Sequence, residues 1–255
     1  MPDTLSAAFR FVLVEPRFAG NIGSAARVLK NFGFGRLDIV SPRGGPIEDE
    51  AFRMAVGASD VLRAAREHAS LDQALAGAAV IVGTSRRMGK QRQPHFGLEE
   101  IAAESCRLVP RGEVAFVFGR EDRGLSDADL DRCTHLAYIP ANPDYPSLNL
   151  AQAVGVTVYA LRRALEATHP VSTGDGAGEG LADHTAREAM FAHLEESLLA
   201  IGFLKDGQIE GMMRRMRRIL GRAELSAGDV DVLRGIARQT LWIAGRAHVD
   251  PPKRP

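Results

Sequence analysis

The sequence predicts an α/β protein in which a parallel sheet is covered by helices and is followed by a small all-helical C-terminal extension. Two observations support this class. Short apolar runs rich in β-branched residues alternate with amphipathic stretches over residues 9–166, the pattern typical of a parallel sheet with crossover helices. Beyond residue 182 only helical periodicity is present. The 255 residues suffice for one full core and a small second domain.

Short apolar runs bounded by turn residues are typical of buried strands. Five such runs occur at residues 9–16, 36–42, 78–85, 113–119 and 135–141. The amphipathic stretches predict helices near residues 21–32, 48–57, 70–77, 97–108, 126–133 and 148–166. Ser70 and Ser126 are expected to cap two of these helices.

The sequence divides into three parts. Residues 1–167 carry the alternating pattern, and the glycine-rich stretch 168–182 predicts a flexible linker. Residues 183–255 show three helical stretches, which we expect to form the extension.

Composition excludes several classes of protein. The chain has 32 Lys plus Arg and 32 Asp plus Glu, so its net charge indicates no nucleic-acid partner and any such signal must be local. Cys106 and Cys133 lack metal-ligand spacing, which argues against a disulfide framework or a structural zinc site.

No apolar run is long enough to span a membrane and no export signal is found, so a cytoplasmic location is expected. The stretch GTSRRMGK has the wrong spacing for a phosphate-binding loop, which excludes an NTPase of that type.

Three stretches at predicted strand ends carry a functional signal. In the first, EPRFAGNIGSAAR, we expect Gly23 to clear room so that Arg27 reaches the open loop side, although a solvated arginine would have the same pattern. In the second, FGREDRGL, Gly119 and Glu121 follow a strand at the edge where parallel sheets bind ligands, although a plain turn would also use such glycines.

The third stretch, YIPANPDYPSLNLAQAV, places polar residues at a helix entrance. Ser147 or Asn149 could cap the helix, and a capped helix is the simpler alternative. Ile139 and Leu148 add apolar walls to these polar groups, and that mixture is typical of a small-molecule pocket.

Together the three stretches resemble the signature motifs of the SpoU (TrmH) branch of the SPOUT RNA methyltransferases, most closely the bacterial TrmJ type. The resemblance covers residues 9–166 and, more loosely, the tail. It implies a C-terminal trefoil knot in the sheet, S-adenosyl-L-methionine as cofactor, no metal, and a homodimer. It also implies methylation of the ribose 2′-oxygen at position 32, a pyrimidine in the tRNA anticodon loop.

The resemblance also implies the roles of individual residues. The cofactor set is Thr84, Ser85, Arg86, Gly119, Ile139, Pro146, Ser147 and Leu148, and the catalytic set is Arg27, Asn21, Glu121, Ser147 and Asn149. Arg27 would act across the dimer, and the others would position substrate and loops. For the dimer, we expect a partner to cover an apolar stripe on the 148–166 helix, formed by Leu150, Val154, Val158 and Leu161.

Two basic runs are candidate RNA contacts, although each alone is more often a solvated surface. They contribute Arg87, Lys90 and Arg92 in one loop and Arg214, Arg215, Arg217 and Arg218 on a tail helix. Three alternatives remain open: 2′-O-methylation of ribosomal RNA, methylation of another tRNA position, and an RNA-binding protein of the same fold without turnover.

Overall fold

The computed structural model describes residues 6–40, 49–85, 95–167, 180–205 and 208–246. Within these ranges the strands are β1 (Phe9–Val14), β2 (Leu37–Val40), β3 (Arg66–His68), β4 (Ala78–Thr84), β5 (His95–Gly97), β6 (Glu113–Phe118) and β7 (His135–Tyr138). They form a seven-stranded sheet in the order β3-β2-β1-β6-β4-β7-β5, and each pairing is parallel. The predicted parallel sheet is thus confirmed, and the knot stays a prediction.

Helices cover both faces of the sheet. They are α1 (Ala19–Asn31), α2 (Asp49–Ala55), α3 (Ser59–Ala64), α4 (Leu71–Leu75), α5 (Leu98–Leu108), α6 (Asp127–Asp131) and α7 (Leu150–Ala167). Alternate residues of β1 face opposite layers, as a strand's two-residue period requires. Phe9, Phe11 and Leu13 belong to the larger core with α1, α5 and α7, whereas Val12 and Val14 join the smaller core with α4 and α6.

The five predicted strands and six predicted helices of the body are all present. β3, β5 and α3 were not predicted. The two additional strands are three residues long and lie at the two edges of the sheet, where none of their residues is fully buried. Strands this short and this exposed leave no apolar run for a pattern to detect.

Side-chain caps begin several of these helices. The hydroxyl oxygen of Ser70 accepts from Gln73 N at the start of α4, and Ser126 forms a reciprocal capping box with Asp129 at α6. Both predicted caps are confirmed. Each satisfies backbone donors that a helix start would otherwise leave unpaired.

One interpretation of α7 is wrong. Its stripe of Leu150, Val154, Val158 and Leu161 does not await a partner, because it is buried in the chain's own larger core. The face of α7 exposed to solvent is a second stripe with helical spacing, which contains Gln152, Val156, Tyr159 and Arg163. Periodicity detects an apolar stripe but does not say which surface covers it.

Gly23 also has a different role from the one expected. A Cβ atom at this position would lie 2.0 Å from the carbonyl oxygen of Ala51. The missing side chain therefore lets α2 pack against α1, and it does not clear a path for Arg27.

The C-terminal extension consists of α8 (His184–Ala200), α9 (Ile209–Leu220) and α10 (Ala227–Arg246), which share a small core of their own. Most of the predicted linker lies outside the described residues. The buried guanidinium of Arg187 donates to the carbonyl oxygens of Ala79 on β4 and of Ala182. Glu224 pairs with Arg107 and Arg111 of the body. The extension therefore packs against the body through polar contacts, whereas its division into separate domains stays a prediction.

Candidate functional site

A pocket opens at the carboxyl edge of the sheet, where β4, β6 and β7 end side by side. Its walls are the residues after these strands and the loop before α7. Crevices at this edge are the usual ligand sites of open parallel sheets. Seven of the eight residues expected to bind cofactor line this pocket, namely Thr84, Ser85, Gly119, Ile139, Pro146, Ser147 and Leu148. The eighth, Arg86, lies outside the described residues.

The loop 119–125 forms one wall of the pocket and folds tightly on itself. A Cβ atom at Gly119 would lie 2.1 Å from the backbone nitrogen of Leu125, and the carbonyl oxygen of Arg120 accepts from Gly124 N at 2.8 Å. Gly124 has φ of +72°, a conformation that favours glycine. Both glycines are therefore required by the loop's own backbone.

Asparagine and glutamate side chains join the three motifs in a hydrogen-bond relay. Asn149 Nδ2 donates to Asn21 Oδ1 at 2.9 Å, and Asn21 Nδ2 donates to Glu121 Oε1 at 2.8 Å. The same carboxylate accepts from the backbone N of Arg17 at 3.0 Å through its Oε2. The relay thus fixes the start of α7, the start of α1 and the pocket wall relative to one another.

Asn149 also caps α7. Its Oδ1 accepts from Ala151 N at 2.9 Å, and Gln152 Oε1 accepts from Asn149 N at 3.2 Å. The simple reading of a capped helix is therefore right for Asn149. The pocket reading is supported as well, because Ser147 and Leu148 immediately before it line the pocket.

The remaining pocket groups are a mixture of polar and apolar atoms. Thr84 Oγ1 donates to the carbonyl oxygen of Val117 at 3.0 Å, so this hydroxyl links two neighbouring strands. Ser147 is exposed, and Phe118, Ile139 and Leu150 contribute apolar surface. Such a lining suits a ligand with one flat apolar part and several polar ends.

Arg27 lies on the exposed face of α1 and does not line the pocket of its own chain. No hydrogen bond or ion pair of Arg27 is found within the described ranges. The structure therefore does not bring Arg27 together with the other expected catalytic residues.

The candidate RNA contacts on α9 differ in their surroundings. Arg214 pairs with Asp131 and Glu210, and Arg217 pairs with Glu188 and lies over the ring of Phe191. Arg215 is exposed and Arg218 is half-buried. Arg214 and Arg217 therefore already have acidic partners. The other basic run, with Arg87, Lys90 and Arg92, lies outside the described residues.

Sequence reasoning did not single out the other charged residues of the wall. Arg120 NH1 pairs with Glu15 Oε2 at 2.9 Å, and Asp122 lies between the guanidinium groups of Arg17 and Arg123. The only signal was the dense charge of the stretch REDR at residues 120–123. Its partners Glu15 and Arg17 are about a hundred residues away in sequence, so no local pattern could have paired them.

The described residues contain no group of three or more His, Cys, Asp or Glu side chains arranged to hold a metal ion. Within the same ranges, no helix has both the length and the apolar character needed to cross a bilayer.

Known proteins match this chain over nearly its whole length. The SpoU rRNA Methylase family model matches residues 8–159, and the model of the tRNA methyltransferase TrmJ C-terminal domain matches residues 185–250. The tRNA (cytidine/uridine/adenosine-2′-O-)-methyltransferase TrmJ of Pseudomonas aeruginosa is 40% identical, over 92% of this chain and 94% of that relative.

Two further relatives agree. The tRNA (cytidine/uridine-2′-O-)-methyltransferase TrmJ of Salmonella typhimurium is 38% identical over 89% of this chain and 93% of its own. The crystal structure of TrmJ from Z. mobilis superposes with a TM-score of 0.79 at 30% identity, covering 90% of this chain and 97% of that one. The chain therefore belongs to the SpoU rRNA methylase family, in the group of its TrmJ relatives.

Proposed function

We propose that the protein transfers a methyl group from S-adenosylmethionine to the ribose 2′-oxygen of the pyrimidine at position 32 in the tRNA anticodon loop. The observation that carries this proposal is the relay from Asn149 through Asn21 to Glu121, which assembles all three family motifs around one pocket. The names of the relatives supply the substrate class and the ribose oxygen. The choice of position 32 comes from the motif resemblance.

The pocket residues fit this cofactor. An adenine ring would lie against the apolar groups of Ile139 and Leu148, and Ser85 and Ser147 offer polar atoms for the ribose and the amino-acid end. When bound, S-adenosylmethionine supplies an electrophilic methyl carbon attached to its sulfonium sulfur. Thr84, Gly119 and Pro146 complete the proposed contacts, together with Arg86 in the undescribed loop. The pocket is set up by strand ends and a capped helix, so its walls are positioned before any ligand binds.

The chain's own polar residues would handle the substrate. The ribose hydroxyl must give its proton to solvent as its oxygen attacks, and the negative charge that deprotonation leaves on the oxygen calls for a nearby cation. Because a guanidinium keeps its proton in proteins, we assign Arg27 to holding an RNA phosphate and the developing oxyanion. Ser147 lies exposed at the pocket and would contact the ribose, whereas Asn21, Glu121 and Asn149 maintain the geometry of the loops.

A homodimer completes this proposal, because Arg27 does not line the pocket of its own chain. The exposed stripe of α7 with Val156 and Tyr159 lies beside α1, and Tyr159 contacts Phe32, the residue that follows that helix, edge to face. A two-fold partner on this combined surface would bring its own Arg27 near a second chain. The protein would act in the cytoplasm, where its RNA substrate is found.

The alternatives differ in product. Methylation of ribosomal RNA or of another tRNA position would use the same pocket, and a silent RNA-binding protein would bind RNA without turnover. The P. aeruginosa relative is named for adenosine as well as pyrimidines, so the base at the target is a separate question.

The experiment is an alkaline hydrolysis ladder of tRNA treated with the protein and S-adenosylmethionine. A methylated 2′-oxygen cannot attack the adjacent phosphate, so cleavage should be missing after nucleotide 32 only. A gap elsewhere would support another position, and a complete ladder would support the silent protein. Ribosomal RNA treated in parallel tests the remaining alternative.

A further inference from the structure

The mouth of the pocket carries an exposed group of two arginines and one aromatic ring, here called the rim: Arg17, Phe18 and Arg123. The side chains of Arg17 and Arg123 are 47% and 77% exposed, and the Phe18 residue is 58% exposed. The guanidinium carbon of Arg17 lies 5.9 Å from the centre of the Phe18 ring. The rim thus places two exposed cations and an exposed aromatic ring side by side, each cation within reach of only one carboxylate oxygen of the described residues.

The rim is held directly beside the pocket. Arg123 and its neighbour Asp122 line the pocket, and the backbone N of Arg17 donates to Glu121 in the same wall. A ligand that extends out of the pocket along this wall would therefore reach the rim.

The two rim arginines are only weakly neutralised. Both approach one carboxylate oxygen, Asp122 Oδ2, at 3.4 Å for Arg17 and 4.0 Å for Arg123. The nearby carboxylates of Glu15 and Glu121 are engaged by Arg120 and by the relay. Exposed ion pairs at such separations contribute little, so another anion can replace Asp122 at low cost.

The chemistry of the rim favours single-stranded RNA. Guanidinium groups bind phosphates through paired N–H donors, and exposed aromatic rings stack on unpaired bases. A paired helix would offer its phosphates but not a free base face. A protein partner would need acidic side chains facing both arginines, whereas RNA carries a phosphate on every nucleotide.

We propose that Arg17 and Arg123 bind the phosphates of the nucleotides flanking the target ribose and that Phe18 stacks on an unpaired base there. In this arrangement Asp122 competes with the RNA for the two arginines. The inference rests on the proposed function and names the part of the chain that holds its substrate.

The test measures tRNA affinity without cofactor at two salt concentrations. Arg17→Gln and Arg123→Gln should each weaken binding about 3- to 10-fold and reduce the slope of log affinity against log salt by about one. Asp122→Asn should strengthen binding, because it frees both rim arginines, while Arg120, which also approaches Asp122, keeps its ion pair with Glu15 in the wall. Phe18→Ala should lower tRNA affinity, whereas Phe18→Trp, which keeps an aromatic ring, should leave it near the wild-type value.

The opposite signs separate binding from structure. If the ion pairs only hold the wall, Asp122→Asn would weaken tRNA binding as the arginine variants do, and this would overturn the proposal. Arg63→Gln, on the exposed face of α3, is the matched control and should behave as wild type. If the wild-type protein binds tRNA and the two arginine variants bind it equally well, the rim proposal is refuted and the proposed function stands. If the wild-type protein binds no tRNA, the proposed substrate is refuted as well.

Discussion

Arg120 reaches from the pocket wall back to Glu15 at the end of β1, with 2.9 Å between its NH1 and Glu15 Oε2. Glu15 has φ of +47°, a left-handed conformation that costs of order 1 kcal/mol for a residue with a side chain. Glu15 also raises the pKa of Arg120, chiefly through this hydrogen bond. The ion pair therefore ties the wall to the neighbouring strand at a position of backbone strain.

The first prediction follows from this pair. Glu15→Gln should loosen the wall and weaken S-adenosylmethionine binding roughly fivefold, the loss of about 1 kcal/mol of charge-assisted contact. Calorimetric titration of cofactor measures it. Glu166→Gln removes an exposed pair with Arg162 on α7 and should have no effect. Equal cofactor affinity in the Glu15 variant would show that the pair does not position the wall.

The second prediction concerns Gly119. A Cβ atom here would first meet the backbone of Gly124 and Leu125, so even Gly119→Ala should displace the wall and lower both thermal stability and cofactor affinity. Gly35→Ala, whose Cβ would meet no atom within 4 Å, is the control and should be neutral. A Gly119→Ala protein with wild-type melting temperature and cofactor affinity would contradict the loop geometry.

The third prediction concerns Arg27 and the dimer. Arg27→Lys should lower turnover by about 100-fold and leave cofactor affinity unchanged, because one ammonium cannot reproduce a forked contact with phosphate. Single-turnover kinetics measures the loss, and light scattering should give the mass of a dimer.

A mixing experiment tests action across the dimer. Heterodimers of an Arg27→Ala chain and a Gly119→Ala chain contain one complete site only if Arg27 serves the partner's pocket. Recovered activity on mixing is the expected result. No recovery, with heterodimers present, would place Arg27 in its own chain's site.

The fourth prediction is a pH dependence of stability from the contact between body and extension. Burial lowers the pKa of His184 even though it bonds to Asp72, whose own pKa is lowered to about 2, mainly by Arg132. The fold thus favours neutral His184, and its contribution to stability is present above pH 6.5 and lost as pH falls below that value. Asp72 loses its contribution only as pH falls from about 4 through about 2.

Denaturant unfolding at pH 7.5 and 5.5 measures this effect. The free energy of unfolding should be lower at pH 5.5, and His184→Asn should reduce the difference. Some difference should remain, because burial also lowers the pKa of His135. If the free energy of unfolding differs between the two pH values by the same amount in the variant as in the wild type, His184 does not contribute to the pH dependence.

The fifth prediction is a truncation after Ala167. The two body cores contain no fully buried residue beyond Leu165, and the extension has a separate core, so the shortened protein should fold and bind cofactor nearly as before. Its melting temperature should fall, because Arg187 and Glu224 no longer bridge to the body. Its tRNA affinity should fall about tenfold if the extension binds RNA, as measured by gel shift. Unchanged tRNA affinity would remove the extension from substrate binding.

Much of the fold could be predicted because its central strands are mostly apolar runs, as in Phe9–Val14, which Arg10 alone interrupts, and Ala78–Thr84. The short edge strands could not, since Arg66–His68 and His95–Gly97 are polar or half-buried. Turn and polar residues at strand ends indicated Gly119, Ile139, Ser147 and Leu148, whereas Thr84, Ser85 and Pro146 came from the family resemblance. The Glu15–Arg120 pair and the burial of the Leu150 stripe depend on which segments meet in space, and no local pattern encodes that.

The double role of Asn149 and Asn21 affects how inactive relatives should be recognised. Asn149 begins the central helix α7 and Asn21 joins it to the wall, so selection for folding alone would preserve both side chains. Arg27 has no hydrogen bond or ion pair among the described residues, so no contact found there would preserve it for folding. A paralogue that has abandoned methyl transfer would therefore be expected to keep both asparagines and drift at Arg27, which makes that single arginine the informative position when such genes are sorted.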